Sequence, residues 1–155
     1  MDPLVTSLTV PLRFVVGVLA AAVALFVMGL AIPRFPDGEL PPQIAAGVLT
    51  NRRPDGISGN LADAIHYAAG LLGGPVFVWL TLLFEGLLGS ASLVAAGLAM
   101  VVLYGFLTGF FLLVVLPRSR VADLRVPRIQ RAWLFSVAIY VLVLAPLTAV
   151  GTALL

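Results

Sequence analysis

The sequence predicts an all-α polytopic membrane protein in which four transmembrane helices form one bundle. Of its 155 residues, 61% are hydrophobic and only 10% are charged, whereas soluble domains have about 45–50% apolar and about 25% charged residues. Four stretches are long enough to cross a bilayer, which takes about 20 consecutive apolar residues. They lack the polar–apolar alternation of a membrane β-barrel, so each is predicted to be a helix that pairs its own backbone groups.

The four predicted spans belong to a single domain that covers residues 1–155. In chain order, they lie at 12–32, about 61–83, about 90–116 and 132–155. Between the first two, residues 41–50 read PPQIAAGVLT, which begins with prolines suited to a first helical turn and is too short to cross a membrane. We therefore predict a short helix there, lying in the membrane interface or under the bundle.

The motif Arg-x-Pro-Asp-Gly occurs on both sides of this short helix, at Arg34–Gly38 and Arg52–Gly56. Pro-Asp-Gly favours a turn, because proline fixes φ and glycine tolerates the positive φ that follows. The repeat is therefore interpreted as two flanking turns, with a ligand-binding element as the alternative. A tight turn at Glu85–Gly89 is predicted to join spans two and three.

The arginines predict the orientation of the chain, which contains no lysine. Three arginines lie in the loop at 33–60 and five in the loop at 117–131, against Arg13 alone on the other side. The positive-inside rule places both loops in the cytoplasm and both termini outside a cell membrane. As an alternative, Gly29–Ala31 resembles the cleavage site of a secretory signal, and cleavage there would leave three spans.

Five arginines of the second loop alternate with apolar residues, and they are Arg118, Arg120, Arg125, Arg128 and Arg131. Near a membrane surface each would attract anionic lipid by about 1 kcal/mol. An anionic partner is an alternative, and so is a role in setting topology alone. The lipid bilayer is thus the first partner that the sequence predicts.

Small residues recur at four-residue spacing in three spans: Gly17 with Ala21, Gly70 with Gly74, and Gly105 with Gly109. Such faces let two membrane helices approach closely. We expect spans two and three to pack as a hairpin along their glycines. The same glycines would also suit a homo-oligomer or a membrane-protein partner.

Prolines lie near the middle of two spans, and each is expected to kink its helix because it removes a backbone hydrogen bond. They are Pro75 in span two and Pro146 in span four. Gly73-Gly74-Pro75 is the predicted site of a helix break. In transporters, helices broken at mid-membrane mark binding sites, although an isolated kink is the commoner case.

Asp63 and His66 form the candidate functional polar pair. Because they are three residues apart, they share a helix face, which Gly70 and Gly74 continue, so His66 is expected to face protein. Ionisable groups in membranes are often functional, and the pair could respond to protons or contact a ligand. Alternatively, His66 makes a helix–helix hydrogen bond while Asp63 caps the span or pairs with a loop arginine.

Metal, haem and other cofactors are not predicted. His66 is the only histidine and the chain has no cysteine, so bis-histidine haem ligation within one chain is excluded, and no third ligand joins Asp63 and His66 for a metal. Glu85 would lie about 28 Å from His66 along a helix, too far to complete the site. It is predicted to be an outer-edge residue.

The sequence contains no signature of an enzyme or of a nucleic-acid-binding protein. G-x-S-x-G, H-E-x-x-H and Walker motifs are absent. The formal net charge is +2, and basic–aromatic motifs for single-stranded nucleic acid are missing. The leading hypothesis is therefore a non-enzymatic scaffold or accessory subunit. The alternative is a small oligomeric transporter or channel that uses Asp63, His66 and a break at Pro75.

The segments IPRFPDGELPPQIAAGVL and ADAIHYAAGLLGG together resemble small four-span membrane proteins of unknown function that are numerous in haloarchaea. In that group the first span ends in a proline-containing stretch. The second span carries a histidine followed by a glycine, which correspond here to His66 and Gly70. The resemblance implies a four-helix membrane fold and no known activity.

Overall fold

A computed structural model describes the backbone of residues 3–155 and the side chains from Thr9 onward. This part of the chain has five α-helices and no strand, which confirms the all-helical prediction. The helices are α1 Pro3–Ala31, α2 Leu40–Thr50, α3 Gly59–Leu88, α4 Leu93–Phe110 and α5 Val126–Ala153. By length and composition, α1, α3 and α5 could each cross a membrane, and so could α4 together with the turns that continue it to Arg118.

The long helices extend beyond the apolar stretches that predicted them. Helix α3 ends at Leu88, beyond the expected Leu83, and α5 begins at Val126, ahead of the expected Ala132. Apolar composition limits which part of a helix can lie in hydrocarbon. The helical hydrogen bonds, in contrast, continue through any residues that can adopt the helical conformation. The predicted turn at Glu85–Gly89 is consequently displaced. It begins at Gly89, whose φ is 72°, and ends at Ser92, whose hydroxyl accepts a hydrogen bond of 3.2 Å from the Ala95 amide.

The end of the third span is irregular, which the sequence did not predict. The α-helical pattern of α4 gives way to a π-helical segment at Phe111–Val115 and a 3₁₀ turn at Leu116–Arg118. Proline lacks a backbone N–H and ends regular helices, and Pro117 lies inside this turn. Arg118 donates a hydrogen bond of 2.6 Å to the Val114 carbonyl, so its side chain satisfies one acceptor at the helix end.

Helix α2 begins within one residue of the predicted start and lies against the long helices. Its Ile44 is completely buried and packs in a cluster with Phe111, Leu116 and Ile129. Pro41 lies at the start of α2, where the missing proline N–H removes no helical hydrogen bond. The short helix is thus confirmed, and it contacts the ends of the third and fourth spans.

The two Pro-Asp-Gly turns differ from each other and from the expected glycine conformation. In the first, Asp37 takes the positive φ of 60° and Gly38 does not. Gly38 is needed for space instead, because a Cβ there would collide with the Ile32 carbonyl. The second motif forms a 3₁₀ turn at Pro54–Gly56 without a positive φ. The prediction that glycine supplies positive φ in both turns is wrong.

The small-residue face of α3 packs against α1, whereas α4 had been expected there. A Cβ on Gly74 would collide with the Gly17 carbonyl, and a Cβ on Gly70 would collide with the Leu25 side chain. Gly105 and Gly109 of α4 do not pack against α3, because a Cβ on either would meet nothing within 4 Å. Helices α3 and α4 do contact each other, but not along paired glycine faces. That part of the packing prediction is wrong.

The predicted helix break at Gly73-Gly74-Pro75 is also wrong. Helix α3 continues without interruption through Pro75, as α5 does through Pro146. A single proline removes one hydrogen bond of the ladder, while the neighbouring glycines are held by close contacts. Gly73 lies against the Tyr140 ring and Gly74 against Gly17. Packing on both sides of α3 therefore supports the helix at the point where its own hydrogen bonding is weakest.

The long helices surround one apolar core. Helix α1 packs against α3 and α5, and α4 completes the contacts with both α3 and α5. The largest fully buried side chains include Phe77, Leu103 and Leu144. Ionisable side chains lie at two opposite ends of this core. We name these the His66 end, near His66 and Trp133, and the Arg13 end, near Arg13 and Glu85.

Candidate functional site

The structure places Asp63 and His66 on α3 but does not join them by a hydrogen bond. Asp63 is exposed and His66 is half-buried. The His66 ring meets the edge of the Tyr67 ring, with centroids 5.6 Å apart. Neither side chain donates or accepts a hydrogen bond within the described residues, so the expected helix–helix bond from His66 and the expected cap or arginine partner of Asp63 are not observed.

His66 lies at the edge of a small cavity between α1, α3, α4 and α5. The cavity has a volume of about 70 Å³ and is otherwise lined mainly by apolar side chains, among them Leu25, Met28 and Val137. Among the described residues, no cluster of three or more His, Cys, Asp or Glu side chains could hold a metal ion. The space around His66 is therefore small and mainly apolar rather than a polar vestibule.

A helix–helix hydrogen bond in this region comes from Tyr140, which the sequence analysis missed. Its hydroxyl donates to the Gly70 carbonyl at 2.6 Å and joins α5 to α3. Gly73 faces the same ring, and a Cβ there would collide with the hydroxyl. The available signal was a tyrosine in the middle of an apolar span, because a buried tyrosine hydroxyl usually has a partner.

The Arg13 end contains an ion pair between α1 and α3. Both terminal nitrogens of Arg13 lie 2.7 Å from the two carboxylate oxygens of Glu85. The side chains are only 13% and 16% exposed. Glu85 is therefore more than an outer-edge residue. The signal for this pair was one arginine and one glutamate, each in or beside an apolar stretch, on the same predicted side of the membrane.

The larger cavity lies beside this ion pair. Its volume is about 380 Å³, and α1, α3, α4 and α5 all contribute to its wall. The wall includes three threonines of α3 and α5: Thr81, Thr148 and Thr152. The Thr81 hydroxyl donates to the Phe77 carbonyl at 2.8 Å. The hydroxyls of the other two, and the Nε of Arg13, are buried and make no hydrogen bond to another described residue.

An apolar layer of buried side chains lies between the two cavities. On α5, Tyr140 lines the small cavity and Thr148 the large one, with the fully buried Leu144 between them. On α4, the buried Leu103 lies between a residue of each cavity in the same way. Phe77 of α3 completes the layer and is only 1% exposed. The two cavities therefore lie along the same helices, with buried apolar side chains between them.

The five arginines predicted to contact anionic lipid or a partner divide into two groups. Three make hydrogen bonds within the chain: Arg118 to Val114, Arg120 to Asn51 at 3.5 Å and Arg125 to Asp37 at 2.7 Å. Arg128 and Arg131 are exposed on α5 and line a groove beside the stacked rings of Phe35 and Phe135. Of these five, Arg128 and Arg131 are the two whose guanidinium groups make no hydrogen bond or ion pair with another described residue.

No protein-family model, curated protein or solved structure matches the chain.

Proposed function

We propose that the chain is a non-enzymatic membrane component, a four-helix transmembrane bundle that serves as a scaffold or accessory subunit. In this proposal α1, α3, α4 and α5 span a cell membrane, both termini lie outside, and the arginine-rich loops at 33–60 and 117–131 lie in the cytoplasm. The arginine distribution supports this orientation. The resemblance to small four-span membrane proteins fits the same placement and adds no activity.

The observation that carries the proposal is the apolar layer between the cavities. A transport pathway needs a polar route that opens to each side in turn. Here Phe77, Leu103 and Leu144 are buried at 0–1% exposure, and the cavity beside His66 is only about 70 Å³. A well-packed centre favours a rigid component that presents its outer surface to another protein.

The glycines of α4 that have open space beside them form the surface best suited to such a partner. A Cβ added at Gly97, Gly105 or Gly109 would meet nothing within 4 Å. In a bilayer, small residues favour helix association because they allow close van der Waals contact between backbones. We propose that this face packs against a membrane helix, supplied by a partner protein or by a second copy of the chain.

Site-specific crosslinking tests this proposal directly. The natural chain has no cysteine, so a single introduced thiol reports only its own contacts. Gly105→Cys should give a discrete crosslinked species in native membranes, while Val23→Cys on the exposed face of α1 serves as the matched control. Mass spectrometry of the product, with light scattering of the purified particle, would identify a partner or a homo-oligomer. A monomeric particle and no species specific to Gly105→Cys would refute the scaffold proposal.

The rival proposal is a small transporter or channel, and the alignment of the cavities favours it. Gly73 lines one cavity and Phe77 the other, one helical turn apart on α3. A rearrangement at that turn would join the His66 and Arg13 ends. Purified chain in proteoliposomes distinguishes the two functions: proton or solute flux that His66→Ala abolishes would establish transport, whereas no flux agrees with a scaffold.

A further inference from the structure

The larger cavity at the Arg13 end has the form of a site for a small amphiphile. Much of its wall is apolar and includes Phe77, Leu93 and Ala96. A few hundred cubic ångströms with predominantly apolar lining and a small number of converging polar groups is typical of ligand-binding cavities. The polar atoms in the wall of the larger cavity determine which class of ligand it would bind.

Two threonine hydroxyls in the wall differ from other helical threonines of the described chain. Thr50, Thr81 and Thr108 each donate to the carbonyl four residues earlier, at 2.7–2.8 Å. Thr148 and Thr152 make no such bond, nor any other within the described residues. Thr148 is only 4% exposed. Burial of a hydroxyl without a hydrogen bond is unfavourable. Both hydroxyls therefore indicate that the cavity holds a polar group.

Arg13 supplies a third polar atom and also restricts the charge of the ligand. Its terminal nitrogens are occupied by Glu85, whereas its Nε is buried and makes no hydrogen bond to another described residue. The ion pair is neutral as a unit. A charged ligand would add an uncompensated charge beside it in a region of low dielectric constant, which is strongly unfavourable. The ligand should therefore be uncharged and should offer oxygen acceptors.

We propose that this cavity binds an uncharged acylglycerol, a lipid with one or two fatty acyl esters of glycerol. The Nε of Arg13 donates to an ester carbonyl oxygen, and the hydroxyls of Thr148 and Thr152 bond to ester and glycerol oxygens. The acyl chain lies on the apolar surface of the helices. This inference rests on the membrane placement in the proposed function, but it requires no protein partner.

Thermal unfolding of the full chain in a maltoside detergent, which contains no ester, tests the proposal. The probe is 1-monooleoylglycerol, and we expect it to raise Tm progressively because a ligand that binds the folded state stabilises that state. Two related probes separate the contributions. Oleate has the same chain with a charged head, and glycerol monoacetate has the same ester head without the chain. Each should shift Tm much less.

Matched variants locate the site. Thr148→Val with Thr152→Val removes both hydroxyls at nearly constant volume, and we expect about tenfold weaker binding of 1-monooleoylglycerol from the loss of two hydrogen bonds. Thr108→Val is the control, since Thr108 is buried but bonds to its own helix. Ala96→Leu keeps the hydroxyls but fills the cavity and should also weaken binding, which tests the site independently if the double variant does not fold.

Equal binding by the natural chain, the double variant and Ala96→Leu would overturn the proposal. A response to oleate as strong as that to 1-monooleoylglycerol would overturn the assignment of an uncharged ligand. A glycerol monoacetate response of equal strength would assign the cavity to a free solute instead of a lipid. None of these outcomes depends on a protein partner, so failure of the scaffold proposal would be recognised separately.

Discussion

The hydroxyl of Tyr140 and the carbonyl of Gly70 form a hydrogen bond of 2.6 Å that ties α5 to α3 across the core. Gly73, one turn further along α3, leaves room for the same hydroxyl because a Cβ there would collide with it. The bond therefore depends on a donor in one helix and a small residue in the other. It lies beside the cavity that His66 lines.

Tyr140→Phe should destabilise the protein modestly. The substitution removes the hydroxyl and keeps the packed ring, so the expected loss is about 0.5–1.5 kcal/mol. Equilibrium unfolding in mixed micelles measures it. Tyr67→Phe is the control, because Tyr67 is exposed and makes no hydrogen bond among the described residues. Equal stability of the natural chain and Tyr140→Phe would show that the bond contributes nothing to stability.

Alanine substitutions at two glycines should have different effects on folding of the single chain. Gly74→Ala places a methyl group against the Gly17 carbonyl, and we expect a loss of about 1–3 kcal/mol from overpacking. Gly105→Ala meets no atom within 4 Å and should be neutral or should stabilise α4 by up to about 1 kcal/mol. Both are measured by unfolding in the same micelles. Equal destabilisation by the two variants would contradict the packing of α3 on α1.

The Arg13–Glu85 pair should show strong energetic coupling. Arg13→Leu leaves a mostly buried carboxylate without its partner, and we expect a loss of roughly 3 kcal/mol. Arg13→Leu combined with Glu85→Leu should recover most of that loss, because two well-packed apolar residues can replace a buried ion pair. A double-mutant cycle on unfolding free energies gives the coupling. Additive effects of the two substitutions would show that the pair is not formed.

The sequence was sufficient to predict the α-helices but not their partners. Apolar length gave four long helices, and the PPQIAAGVLT segment gave α2, since both signals are local. Spacing alone also indicated that Gly70 and Gly74 share a close-packed face. It could not indicate that this face meets Gly17 instead of the glycines of α4, because α1 and α4 carry similar small-residue motifs and leave the choice of partner open.

The candidate site was harder to predict for the same reason. The three-residue spacing of Asp63 and His66 predicted a functional pair, yet the two side chains form no hydrogen bond with each other. The pairs that the structure does form are distant: Arg13 and Glu85 are 72 positions apart, and Tyr140 and Gly70 are 70 apart. The cavity with Thr148 and Thr152 also requires four helices to meet, which no local pattern encodes.

Among the five arginines at 117–131, Arg128 and Arg131 should be responsible for most of the affinity for anionic lipid. Each would contribute about 1 kcal/mol near a membrane surface, so replacing both with alanine should reduce retention of phosphatidylglycerol by about tenfold to thirtyfold. Native mass spectrometry of lipid-bound protein measures the loss. Arg125→Ala is the control, because Arg125 already pairs with Asp37. A similar loss from Arg125→Ala would mean that the whole loop acts as a diffuse positive surface.

The orientation of the chain can be tested with two conservative substitutions of exposed serines. Ser58 lies in the loop at 33–60, and Ser90 lies in the turn between α3 and α4. Each is replaced by cysteine in a separate variant. If the arginines set the topology, an impermeant maleimide added to intact cells should label Ser90→Cys but not Ser58→Cys, which should react only after lysis. Both variants should react equally in detergent, which controls for thiol accessibility. Labelling of Ser58→Cys alone in intact cells would show that the orientation is the reverse of the proposed one. The Arg13 end, with its larger cavity, would then lie on the cytoplasmic side.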